Sequence, residues 1–201
     1  HGDDKGLVLP PKVALNKIVI VPIMFEDSKE KVLAKCREFA TKFSDFGAIV
    51  DDRDTYSPGW KFSDWEMKGI PIRIEIGPKD LEKKQVVVVR RDSGHKETID
   101  DKDLAKKIPI LLEDIQKNLY LRARAFLDSR IDTARDLAQL AKKLDEGKIV
   151  KVFLVDDKEV EAKLKEKTGA NSRIVEEQAH EGVCVVSGES TKTIAYVAKS
   201  Y

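Results

Sequence analysis

Residues 57–76 constrain the fold more than any other stretch of the chain. Ser57-Pro58 sets a capping hydroxyl before a proline, the residue best tolerated at the first helical position. The segment that follows, to Lys68, predicts a helix presenting aromatics and charges, and Gly69 supplies its stop. Then comes strict alternation: Ile72, Ile74 and Ile76 on one face, Arg73 and Glu75 on the other. Period-two alternation is the mark of a half-buried strand. A helix running directly into a strand demands a sheet to receive it.

The flanking segments supply that sheet. Residues 17–23 form a short apolar run ending near Pro22, read as a buried strand. Ser28 is placed to cap a helix reaching Phe43, with Val32, Leu33, Cys36, Phe39, Ala40 and Phe43 at helical spacing. Residues 48–50 predict a second strand, residues 70–76 the third and residues 85–91 the fourth. Ser93-Gly94 turns the chain into a fifth. The order β-α-β-α-β-β-β predicts an α/β domain, a mixed five-stranded sheet flanked by helices.

From Asp103 to Arg130 the pattern is helical, with a disturbance expected near Pro109. Asp132 is expected to cap a further helix to Glu146, stopped by Gly147. Residues 149–155 read as a strand. Asp156-Asp157-Lys158-Glu159 offers a capping box for a helix ending before Gly169. Residues 172–175, 183–186 and 193–198 read as three short strands, giving a small α+β domain. The expected divisions are 1–14, a strand–loop remnant; 15–125; and 126–201, with the last boundary inside helices near Phe126.

Charge limits the function classes. The 37 basic and 36 acidic side chains nearly cancel, whereas a non-specific polyanion binder carries a basic excess. A nucleic-acid contact would therefore be a local patch that also holds acids. Two cysteines, Cys36 and Cys184, give no disulfide framework and fit a reducing compartment. No apolar run reaches membrane-span length. No signal or transit peptide opens the chain, which reads as beginning inside a larger protein. Neither a phosphate-binding Gly-x4-Gly-Lys-Ser/Thr loop nor a Gly-x-Ser-x-Gly elbow is present. Cys36 falls on an apolar helix face, His95 at a strand end and His180 in a polar loop.

The 59–80 region has the chemistry of a site for unpaired RNA: rings to stack bases, cations for phosphates and acids for base edges. Trp60, Phe62 and Trp65 are the stacking candidates; Lys61, Lys68, Arg90 and Arg91 are the phosphate candidates. A guanine edge offers two donors beside a carbonyl, matched by a carboxylate and by Arg or Lys. Glu66, Arg73, Glu75 and Lys79 supply those groups. A plainer reading stands beside this one. Phe62 and Trp65 would be core, and Arg73 with Glu75 an ordinary strand-surface pair.

The words of this region resemble a known family. Gly59-Trp60-Lys61-Phe62, Trp65-Glu66, Lys68-Gly69, Pro71, Arg73-Ile74-Glu75-Ile76-Gly77-Pro78-Lys79-Asp80 resembles the anticodon-binding domain of prolyl-tRNA synthetases of the archaeal and eukaryotic type. The opening His1 to Ala14 is similar to that family's third class II motif. Val86 to Asp92 resembles the next strand of the domain, and Ala198-Lys199-Ser200-Tyr201 the family's C-terminus. The resemblance spans the chain with its segments in order.

What the resemblance implies is specific. The fragment would read the anticodon of proline tRNA, which ends in two guanines, through Trp60, Lys61, Trp65, Glu66, Lys68, Arg73, Glu75, Lys79 and Arg90. The intact protein would be a class II ligase joining proline to its tRNA with ATP and magnesium. It would be a cytoplasmic homodimer, with no membrane or DNA partner, and this part would adjoin its own catalytic domain. Lys12 stands where the family's third motif has an ATP-binding arginine, and it keeps the charge but loses the planar fork. Tyr201 would reach back toward the active site. The fragment lacks the upstream motifs, so no catalytic residue lies in it and no adenylate activity is expected. The family's C-terminal domain often holds zinc on four cysteines. Aligning on Lys163 to Thr168 places Val155, Val160, Cys184 and Ser187 at those positions, and one thiolate cannot build a tetrahedral site. No metal is therefore expected. Two other classes remain, a free-standing synthetase-derived RNA-binding adaptor and a protein-interaction module.

Overall fold

The computed structural model describes residues 1–200. The chain divides into two compact units, residues 1–121 and residues from 122 onward. The first opens with a two-residue antiparallel pair, β1 (Gly2–Asp3) and β2 (Gly6–Leu7). Its main sheet follows the expected mixed five-stranded plan. β3 (Ile18–Pro22), β4 (Ile49–Val50), β5 (Ile72–Ile76), β6 (Gln85–Arg90) and β7 (Lys96–Asp100) lie in the order β4-β3-β5-β6-β7. β3 is parallel to both neighbours, and the other two pairings are antiparallel.

Each face of that sheet has its own cover. Ile18, Ile20, Ile72, Ile74 and Ile76 project to the main core. They meet Val32, Cys36 and Phe39 of α1 (Lys29–Lys42) and Leu104, Ile108, Leu112 and Ile115 of α4 (Asp101–Arg130). All three β5 isoleucines are fully buried, each contributing about 1.5–3 kcal/mol of apolar transfer. On the opposite face Val19, Val21 and Ile70 pack against Phe62 and Trp65 of α2 (Pro58–Met67). A short α3 (Pro78–Glu82), absent from the sequence reading, follows β5; Asp80 Oδ2 accepts the Gly77 N–H at 2.9 Å.

Two expectations in this unit change. Ser28 precedes α1, but its hydroxyl donates to the Phe25 carbonyl at 3.3 Å rather than accepting from the helix, so it does not cap. Pro109 does not interrupt α4, which runs unbroken from Asp101 to Arg130. The buried residues Leu104, Ile108, Leu112 and Ile115 anchor it on both sides of the proline. Ala105, whose carbonyl loses the proline's missing bond, is exposed to water.

The second unit is a four-stranded sheet, ordered β10-β11-β9-β8, with two helices. β8 (Ile131–Thr133) pairs in parallel with β9 (Ile149–Phe153). Asp132 was expected to cap a helix; it lies in β8 instead. The cap is Asp136, which accepts the Gln139 N–H at 2.8 Å and the Gln139 side-chain amide at 2.9 Å, starting α5 (Leu137–Asp145). Asp157 caps α6 (Lys158–Thr168), accepting from Glu159 and Val160. The three expected short strands are two long ones, β10 (Ala170–Val183) and β11 (Ser190–Lys199), in an antiparallel hairpin. Register shifts occur between Ser172 and Ile174 and between Glu177 and Gly182. At the second, a Cβ on Gly182 would lie 2.2 Å from the Phe153 ring, so only glycine fits. The core here is Leu140, Leu144, Val150, Val152, Leu164, Ala195 and Val197, with Val160 and Cys184 in it and Val155 against it.

Candidate nucleic-acid interface

α2 forms as its sequence dictates. Ser57 is extended, its hydroxyl accepts the Trp60 N–H at 3.3 Å, and Pro58 occupies the first turn. Gly69 closes the helix at φ 76°, where a Cβ would lie 2.6 Å from the Leu7 carbonyl oxygen. β5 then runs beneath the helix and presents Arg73 to it.

Arg73 is held on three sides. Its guanidinium carbon lies 4.4 Å from the Phe62 ring centroid, NH1 donates to the Phe62 carbonyl at 3.4 Å, and Nε and NH2 donate to Glu75 Oε1 at 3.1 and 3.0 Å. Glu75 is 4% exposed, and its other oxygen pairs with Lys96 at 2.8 Å. Both Glu75 oxygens are thus engaged by neighbouring cations, and the carboxylate orients Arg73. Glu66 remains accessible, with a 3.1 Å ion pair to Lys5. Arg73, Glu66, Trp65 and Arg90 line one cleft with Ile70, Val89 and Arg91. Its free volume is about 10 Å³, the room of a single water, so a base would lie over the cleft rather than enter it.

The remaining predicted residues separate. Trp60 is 44% exposed and stacks on Tyr56, centroids 3.9 Å apart. Trp65 packs with Phe62 on the sheet, its Nε1 donating to Asp51 Oδ2 at 2.7 Å. Lys68 is accessible, pairs with Asp64 at 2.8 Å and sits 4.5 Å from the Trp65 ring centroid. Lys79 is exposed on α3, beyond the far end of β5 and outside the Arg73 cleft.

Three cations expected at phosphates are placed otherwise. Lys61 is 1% exposed and donates to the Asp51 carbonyl at 3.1 Å; burial lowers its pKa despite nearby carboxylates. Arg90 is consumed by a bidentate pair with Asp92 and a contact with Asp114. Arg91 donates in a fork to Asp3 and through Nε to the Glu66 carbonyl at 2.8 Å, tying the β1–β2 hairpin to the end of α2. Arg90 and Arg91 are taken up by carboxylates, and Lys61 is withheld from the surface by burial, with one of its three donors on the Asp51 carbonyl.

The sequence reading missed the organiser of the helix. Asp51 is 4% exposed and accepts from Arg53 Nε and NH2 at 2.8 and 2.7 Å, besides Trp65. Arg53, with help from Trp65, holds its carboxyl down to about 2 against the upward push of burial. Arg53 also pairs with Asp64 at 2.8 Å, linking loop to helix. The signal was present in the charged run Asp51-Asp52-Arg53-Asp54 directly before the helix cap.

Lys12 is exposed, and its backbone N–H donates to Gln116 Oε1 at 3.0 Å. Tyr201 lies outside the described residues. In the second unit, the Cys184 sulfur accepts the Ser187 N–H at 3.4 Å within the core, and Val155 and Val160 carry no metal-donor atoms. Among the described residues no helix is long and apolar enough to cross a membrane.

Residues 17–110 match the family described as Anticodon binding domain, and residues 137–201 the family described as Prolyl-tRNA synthetase, C-terminal. The chain is 40% identical along its whole length to the proline–tRNA ligase of Oceanobacillus iheyensis. It is 41% identical to the cytoplasmic proline–tRNA ligase of Arabidopsis thaliana and 43% to the proline–tRNA ligase of Thermofilum pendens. These matches take in all of this chain but 42%, 40% and 43% of those relatives.

Proposed function

The chain belongs to the prolyl-tRNA synthetase family as its anticodon-binding and C-terminal part, and on that premise we propose that it selects proline tRNA by its anticodon guanines. The observation that carries this reading is Arg73, fixed over Phe62 by Glu75 with the accessible carboxylate of Glu66 in the same cleft. A cation and a carboxylate side by side match a guanine edge, carbonyl to the first and N–H donors to the second. Trp60 offers a ring and Lys68 a phosphate cation nearby. Lys79 contacts the RNA from the other end of β5.

The intact ligase joins proline to this tRNA with ATP and magnesium, in the cytoplasm, as a homodimer built on its catalytic domain. Lys12 stands in for the ATP-binding arginine and Tyr201 reaches the active site. Deleting Tyr201 from the full-length enzyme should lower turnover; unchanged turnover removes that role.

The test is binding of the 201-residue chain to proline tRNA and to versions with each anticodon guanine replaced. Arg73→Ala and Glu66→Ala should each cost about 1–3 kcal/mol and relax discrimination at one position. If both variants discriminate as the wild type does, the site is misplaced.

A further inference from the structure

A second cavity, of about 350 Å³, opens at the carboxyl ends of β3 and β4. Its position follows from the topology. α1, after β3, packs on the main core, whereas α2, after β4, packs on the opposite sheet face. Open α/β sheets bind ligands in the crevice where successive helices change sides. The lining comes from the two loops that leave those strands: Phe25 and Glu26 from one, Asp54 and Tyr56 from the other, with Lys29 and Lys61 from the helices.

The groups there are of three kinds. Tyr56 presents a ring: Trp60 stacks on one face at 3.9 Å and 14°. The Arg53 guanidinium carbon is 5.2 and 5.3 Å from the Tyr56 and Trp60 centroids. Near-equal distances put it beside the stack, not on a face. Phe25, on the facing loop, is 61% exposed. Lys61 lies in the cavity wall, buried, and among the described residues donates one hydrogen bond of the three an ammonium can make. Glu26 and Asp54 bring carboxylates, Asp54 with a 3.4 Å pair to Lys29.

A phosphate entering here would meet two carboxylates. A neutral planar ring with a carbonyl beside N–H donors would satisfy all three kinds of group at once. We propose that this cavity takes an unpaired, guanine-like nucleobase, its ring on Tyr56, its carbonyl on Lys61 and its N–H donors toward Glu26 or Asp54. The inference rests on the RNA-binding reading and adds a base pocket distinct from the Arg73 cleft. The volume is at the lower end of small-ligand sites, enough for one base. The same chemistry belongs to a free guanine nucleotide, so the source must be tested.

The 201-residue chain is titrated with a proline-tRNA anticodon stem–loop and, separately, with guanosine monophosphate, following tryptophan emission. Tyr56→Ala should weaken stem–loop binding about tenfold, the scale of one lost stacking platform, and Tyr56→Phe should restore it. Phe25→Ala, a change on an exposed ring, should weaken it several-fold and covers the case in which Tyr56→Ala misfolds. Preference among anticodon-substituted stem–loops should not change in either variant, because those bases are read at Arg73. If both alanine variants bind as tightly as wild type while Arg73→Ala loses discrimination, the pocket is refuted and the anticodon reading stands. If wild type binds no stem–loop, both fall. Guanosine monophosphate binding that Tyr56→Ala abolishes, with stem–loop affinity untouched, overturns the RNA source in favour of a free nucleotide.

Discussion

Replacing Asp51 by Asn tests how the loop before α2 is held. The carboxylate accepts from Arg53 twice and from Trp65 once while nearly excluded from water. Its pKa, ordinarily 3.8, is held at about 2, chiefly by Arg53. At about 1.36 kcal/mol per tenfold change in acidity, that depression is worth about 2 kcal/mol to the folded state. The sign is set by the direction of the shift. The folded group is the stronger acid, so its contribution is complete above the unfolded pKa, near 4, and is lost as pH falls toward about 2. About half should remain near pH 3. Asparagine keeps the shape and an acceptor for Trp65 but loses the charge. Asp51→Asn should therefore cost about 2 kcal/mol at neutral pH and about 1 kcal/mol near pH 3. Urea unfolding followed by tryptophan emission is the appropriate assay, because both tryptophans, Trp60 and Trp65, lie in the first unit. A gap below about 0.5 kcal/mol at neutral pH, or one that stays constant to about pH 3, would refute the argument.

Lys68→Ala should weaken all RNAs alike and reduce the salt slope of binding by about 1, while Lys61→Met, at a buried position, should leave the slope unchanged; equal slope changes would void the distinction. Arg91→Ala removes the fork to Asp3 and should free the β1–β2 hairpin, costing about 1–3 kcal/mol. Faster amide exchange at Leu7 and Val8 would register it, and unchanged protection there would count against the clamp. The C-terminal unit should fold without zinc, because Val155, Val160 and Ser187 supply no thiolates. Metal analysis finding one zinc per chain, with unfolding on chelation, would show otherwise.

The elements that were legible in the sequence are those where local chemistry and packing agree. Ser57-Pro58 and Gly69 bracket α2 where they were expected, and the Ile72–Ile76 alternation became a strand with one face in the main core. The misreadings share a cause, the tertiary partner. Asp132 carries a good capping side chain, but its backbone pairs with Val150, and Asp136 has a reciprocal Gln139. Pro109 is a helix breaker in isolation and not beside four anchoring core residues. At the candidate site, residue types were readable and their availability was not. Lys61, Arg90 and Arg91 read as cations free for phosphate, and only three-dimensional placement reveals the Asp51 carbonyl, Asp92 and Asp3 that occupy them. The ring of Tyr56 carried no periodic signal, because it stands in a loop.

The break in register opposite Gly182 bears on how copies of this chain avoid one another. β10 is an edge strand of fourteen residues with Ile174, Val175 and Val183 exposed. An uninterrupted edge of that length and character is a template on which a second molecule can add a strand. The irregularities after Ser172 and Glu177 divide it into short lengths of differing twist. Glu176, Glu177 and Glu181 place like charges where a mirrored copy would bring its own. Because a Cβ at Gly182 would strike the Phe153 ring, that ring, on the sheet face opposite the Val150 and Val152 core side, holds the second irregularity in place. The solubility of this edge is thus tied to an aromatic side chain packed beneath it.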